Sequence, residues 1–91
     1  MASNQNSPVS SRIRRELIEA DVEQAFGLVD LAEEAALRGD SQTAFRILVD
    51  AERVYLNIEE RLSRLDARDT GPFLPLVAEL RNSMDKARRR A

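Results

Sequence analysis

From Ile18 onward, apolar residues return in alternating steps of four and three: Ile18, Val22, Ala25, Val29, Ala32 and Ala36. Such steps average about 3.5 residues, which keeps side chains on one line of a gently supercoiled helix. The alternation resumes with Ala44, Leu48, Ala51, Tyr55, Ile58, Leu62 and Leu65, and again with Phe73, Val77, Leu80, Met84 and Ala87. Three seams predict three helices, over about residues 11–38, 41–66 and 73–89. Ser10 or Ser11 supplies the first N-cap, and Gly39 is suited to a left-handed C-cap. Asp40 or Ser41 caps the second helix, which the cluster Arg68, Asp69, Thr70, Gly71, Pro72 ends as a turn. Gly27 costs about 1 kcal/mol inside the first helix, but the apolar period crosses it unbroken. Residues 1–10, rich in Ser and Asn, bury too little to order and are expected to be a disordered arm. Residues 11–91 then form a single domain.

Folding the first helix onto the second about Gly39 and Asp40 pairs residues whose numbers add to about 80, as in any antiparallel hairpin. The seams obey that register: Ile18 meets Leu62, Val22 meets Ile58, Ala25 meets Tyr55, Val29 meets Ala51, Ala32 meets Leu48 and Ala36 meets Ala44. Alanine in most of these layers lets the two helices approach closely. The second and third helices pair in the same manner, Leu65 with Phe73, Leu62 with Val77 and Ile58 with Leu80. The predicted fold is all-α, a three-helix antiparallel up-down-up bundle with left-handed, coiled-coil-like packing.

The apolar arc of the second helix covers about 220°, wider than the roughly 100° a surface helix needs. Each helix of the hairpin therefore carries an apolar flank on either side of its seam. The richer side holds Leu17, Leu28, Leu31, Ile47, Val54, Ile58 and Leu65 and is the expected seat of the third helix. That choice leaves Phe26, Leu37, Phe45, Val49 and Leu56 as one exposed stripe, the expected partner-binding surface.

Around the first turn, Leu28, Leu31, Ala32 and Ala36, then Gly39 and Asp40, then Ala44, Leu48 and Ala51 resemble the core of a tetratricopeptide-type hairpin over about 25 residues. Glu34 stands where that family prefers a small residue, and the second helix continues beyond the point where a Pro would end a repeat. The long helices and the third element look more like the microtubule-interacting-and-trafficking domain. The resemblance implies a helical groove that binds a peptide or a partner helix.

Composition narrows the chemistry. With no Cys and no His, the chain of 91 residues lacks disulfides, thiolate or imidazole metal ligands, and Ser-His or Cys-His nucleophiles. The carboxylates that remain do not converge. Neighbours such as Glu33 and Glu34, or Glu59 and Glu60, point about 100° apart on a helix. The ladder Glu16, Glu19, Glu23 shares a face, but Arg12 and Arg15 precede it by four residues and make it an ion-paired, solvated stripe. The expectation is therefore no enzyme, no cofactor and no metal. Asp21 falls inside the apolar arc of the first helix and needs a partner, for which Arg61, Arg81 and Ser83 are in reach. Tyr55 reads as a core aromatic with its hydroxyl at the edge.

The net charge of −2 conceals a segregation, with basic ends and an acidic middle. Lys86, Arg88, Arg89 and Arg90 form a basic patch that complements the last helix's dipole. A patch of this kind also suits phosphates, so a binder of nucleic acid or an anionic surface is the alternative reading, as is a regulatory subunit inert alone. With no Trp, one Tyr, three Phe and a pI near 5.2, the aromatic and basic surface that stacks bases is missing. No stretch has the roughly 18 apolar residues of a membrane span, and the polar start has no signal-peptide core, so the expected location is cytoplasmic. The residues together point to a protein–protein interaction module, self-associating as a homodimer or holding a partner helix.

Overall fold

The computed structural model describes residues 8–91, which form an all-α bundle of three long helices with no strand among the described residues. Helix α1 spans Pro8–Leu37, α2 Ser41–Leu62, the one-turn α3 Ala67–Thr70, and α4 Leu74–Arg90, entered through a 3₁₀ turn at Gly71–Phe73. The arm expected over residues 1–10 lies outside the described residues up to Ser7, but Pro8, Val9 and Ser10 already belong to α1. Proline suits a first helical turn, where its missing N–H would have no partner, so the helix extends back past the serines.

The turn between α1 and α2 is built as its residues dictate. Gly39 takes φ 82°, the left-handed conformation open to glycine. The Asp40 N–H donates to the Ala35 carbonyl at 2.9 Å and the Gly39 N–H to Ala36 at 3.0 Å, which satisfies the orphan carbonyls of α1. The Thr43 N–H then donates to Asp40 Oδ1 at 3.1 Å, capping α2. Hydrogen bonding from Thr43 holds the exposed Asp40 carboxyl below its ordinary pKa.

At its other end α2 stops at Leu62, short of the expected 66. The Ser63 hydroxyl donates to the Glu60 carbonyl at 2.6 Å, and Arg64 and Leu65 donate three residues back, the tight pattern that closes a helix. The segment expected as a turn is instead helical, because the Asp66 carbonyl accepts from both Asp69 and Thr70 at 2.9 Å. Pro72 and Pro75 fall in the first turns of the elements they enter, where their missing N–H groups cost little.

The core follows the three seams closely. Ile18, Val22, Ala25, Val29 and Ala32 of α1, Ala44, Leu48, Ala51 and Ile58 of α2, and Phe73, Val77, Leu80, Met84 and Ala87 are all buried. Tyr55, Leu62 and Leu65 are half-buried against this core. At the turn the seam shifts by one residue: Ala35 is fully buried and Ala36 only partly. No polar or charged side chain is buried among the described residues.

The third long helix sits on the side opposite to the expected one. Helix α4 lies along the flank of Phe26 and Glu33 on α1 and of Glu52 and Tyr55 on α2. Arg81 and Arg88 both reach Glu52, at 3.0 and 3.1 Å, and Arg90 reaches Glu33 at 2.9 Å. Arg15 meets Asp69 at 3.2 Å, tying the start of α1 to the segment that leads into α4. Counting apolar residues favoured the richer flank, but the poorer flank carries the charges that match α4. No described helix lies over Leu17, Leu28, Leu31, Ile47, Val54 and Leu65.

Candidate partner-binding surface

The expected stripe of Phe26, Leu37, Phe45, Val49 and Leu56 is divided by α4. Phe26 is half-buried against the core and lines an open groove of ≈ 540 Å³ with Gly27, Phe73 and Leu76. Leu37, at the end of α1, is 82% exposed. Phe45, Val49 and Leu56 are exposed along α2 beside α4, and the paired Glu52 stands in the same row. The structure therefore does not bring the five together as one uncovered surface.

Glu52 is the centre of the contact between α2 and α4. Arg81 Nη1 donates to both of its carboxylate oxygens, at 3.3 and 3.0 Å, while Arg81 Nε and Nη2 donate to Asp85 Oδ1 at 3.3 and 3.0 Å. The same guanidinium lies 5.0 Å from the centre of the Tyr55 ring. These bonds lower the Glu52 pKa and raise that of Arg81, so both stay charged. Tyr55 is pushed up by burial and then by the nearby Glu59, which keeps its phenol protonated. The arrangement fastens a helix and keeps the Tyr55 phenol protonated beside the Glu59 carboxylate.

The basic patch is partly consumed in the same way. Lys86, Arg88, Arg89 and Arg90 are exposed on the last turns of α4, but Arg88 and Arg90 are the residues that hold Glu52 and Glu33. Among the carboxylates weighed for catalysis, Glu33 is thus paired, Glu60 meets Arg64 at 2.8 Å, and Arg15 turns to Asp69. No group of acidic residues that could hold a metal ion is present among the described residues, and no helix there is long and apolar enough to cross a membrane.

The other side of the hairpin has no described helix over it. Helix α1 presents Ile13, Leu17 and Leu31, all between two-fifths and just over half exposed, above the half-buried Leu28. Helix α2 adds the half-buried Ile47 and Val54, and the half-buried Leu65 follows just past its end, so both helices contribute to one apolar floor. Asp21 interrupts it, and its partner is Arg61, whose Nε donates to Asp21 Oδ2 at 3.0 Å. Arg81 and Ser83, the other candidates, belong to α4 on the far side. At the end where α1 begins, Arg14, Asn57, Glu60, Arg61 and Arg64 line a polar cleft of ≈ 330 Å³. Reading apolar periodicity alone found every residue of this floor except Ile13, yet assigned them to the third helix.

No protein-family model matches the chain, and neither a curated protein nor a solved structure matches it.

Proposed function

We propose that this chain is a non-enzymatic protein–protein interaction module that associates through the apolar flank of the α1/α2 hairpin opposite α4. The observation that carries this reading is the two-helix-wide floor of Leu17, Leu28, Leu31, Ile47, Val54 and Leu65, which no described element covers. An isolated apolar side chain on a surface is ordinary, whereas a continuous patch is costly to leave in water and marks an interface. A four-helix bundle encloses such a floor on all sides; this chain supplies three of the long helices and leaves one side open. The tetratricopeptide-like turn supports the same reading, since it would hold two helices close enough to form a shallow groove between them.

The double substitution Leu17→Glu with Leu31→Glu tests it. Both side chains are exposed, so helix content and thermal midpoint should stay close to those of the wild type. Association, with itself or with a protein that co-purifies from its source, should be lost. If association survives the two charges, the flank is not the interface and the reading fails.

A further inference from the structure

Helix α1 carries a line of carboxylates along the edge it shares with α4. Glu16, Glu19, Glu23, Phe26, Asp30 and Glu33 follow steps of three and four, which keep them on one edge of the helix. The sequence predicts that Arg12 and Arg15 pair with this ladder, but Arg15 turns to Asp69 at 3.2 Å and no ion pair joins Arg12 to it. Toward the α1/α2 turn, Arg90 of α4 takes Glu33 at 2.9 Å. Between those ends Glu19, Glu23 and Asp30 are exposed, and their carboxylates form no ion pair or hydrogen bond with any described residue.

These three carboxylates rim the groove of ≈ 540 Å³ between α1 and the start of α4. Val22 and Phe73 are buried at its floor, Phe26 is half-buried, and Leu76 is 43% exposed. Gly27 keeps the α1 wall low, since a Cβ there would meet nothing within 4 Å. No base lines the groove among the described residues, so an apolar floor meets a rim of one sign. From Glu19 to Asp30 the rim runs about 16 Å, the length of about three helical turns. Both walls are helical, with backbone groups bonded internally, so an extended peptide would find no partners there for its own N–H and C=O groups. A helical ligand brings those bonds with it.

We propose that this groove holds a cationic amphipathic helix of a partner protein, its apolar face on Phe26, Phe73 and Leu76 and its lysines or arginines on Glu19, Glu23 and Asp30. The molecule already uses this pairing where α4 lies on the hairpin, with arginines meeting Glu33 and Glu52 at 2.9 and 3.0 Å. The incoming helix makes the same kind of contact with the next acids on α1. A neutral or acidic helix with the same apolar face would take water from three carboxylates and give them nothing in return, so charge sets the choice of partner. The groove lies apart from the flank opposite α4, and the two sites stand or fall separately.

The probe is a labelled synthetic peptide of about 14 residues, with leucines in steps of four and three flanked by lysines on an alanine background. Read by fluorescence anisotropy, the wild-type chain should bind it in the micromolar range, and more weakly as salt rises. Glu19→Gln with Glu23→Gln should weaken binding at low salt by about tenfold or more. Gly27→Leu, which fills the groove and leaves every carboxylate in place, should weaken it as much. All three positions are exposed, so circular dichroism and thermal midpoints should match the wild type or, for Gly27→Leu, rise. The same peptide with glutamates for its lysines should not bind. No binding of the lysine peptide by the wild type, equal binding by Gly27→Leu, or equal binding of the glutamate peptide would overturn the proposal. Leu17→Glu with Leu31→Glu should bind the peptide as the wild type does; a loss there would seat the peptide on the opposite flank and remove it from the groove.

Discussion

The two flanks of the α1/α2 hairpin start from the same material and end differently. Each has leucines and β-branched or aromatic residues beside a close alanine-rich seam. One is covered by α4, whose Val77, Leu80, Met84 and Ala87, with Phe73 of the turn before it, are buried against the hairpin, and Glu33 and Glu52 are paired to its arginines. The other has no described helix over it and carries the ion pair of Asp21 with Arg61 between the two helices of the hairpin. Apolar burial is non-directional and would accept α4 on either side. Charge and the reach of the connection are directional, and they select the side.

The largest expected difference between the flanks is in core truncation. Leu80 is fully buried on the inner face of α4, so Leu80→Ala should cost about 2 to 5 kcal/mol of unfolding free energy. Leu31→Ala, on the uncovered flank and 52% exposed, should cost no more than about 0.5 kcal/mol in dilute solution where the chain is monomeric. Urea titrations of both variants measure this, and equal losses would mean that the open flank is as well packed as the covered one.

A smaller effect should separate the flanks by pH. The Glu52 carboxyl is lowered in the folded chain, chiefly by the hydrogen bond from Arg81. The unfolded chain therefore binds this proton at a higher pH than the folded one, and stability rises with pH through that interval. The contribution is fully present above the ordinary carboxylate range, about pH 4.3, and disappears as pH falls through the folded value. Since the pair is about a third exposed, Glu52→Gln should cost about 1 kcal/mol or less at pH 7. The gap between variant and wild-type thermal midpoints should close in acid; a gap that persists below pH 3 would mean that Glu52 acts through packing alone.

The smallest change should be a gain. A Cβ at Gly27 would meet nothing within 4 Å, and the residue lies inside α1 with ordinary helical geometry. Gly27→Ala should therefore stabilise the bundle by about 0.5 to 1 kcal/mol, read as a raised thermal midpoint. A loss would show that the groove shared with Phe26, Phe73 and Leu76 needs the space.

Helices, turn and core were legible in the sequence because each has a local cause. Gly39 and Asp40 mark the loop by backbone conformation and capping, and the steps of four and three identify the buried face of all three helices. Asp21 is legible as a carboxylate in an apolar arc that needs a partner, and Arg61 stands within its reach. The side taken by α4 was not legible from periodicity, because both flanks satisfy it. It depended on which acids stood within reach of Arg81, Arg88 and Arg90, and those arginines read equally well as a solvated end. The placement of the open surface depends on that side, so periodicity points to the stripe of Phe45, Val49 and Leu56 and away from the floor of Leu17, Leu28 and Leu31.

The most direct test of where the molecule associates is the map of backbone amide chemical shifts as the isotope-labelled chain is concentrated from low to high micromolar. Shifts that move at Leu17, Asp21, Leu28, Leu31, Val54, Arg61 and Leu65, with α4 unchanged, are the predicted result. Movement confined to Phe45, Val49 and Leu56 or to the basic end of α4, with that floor silent, would contradict the account.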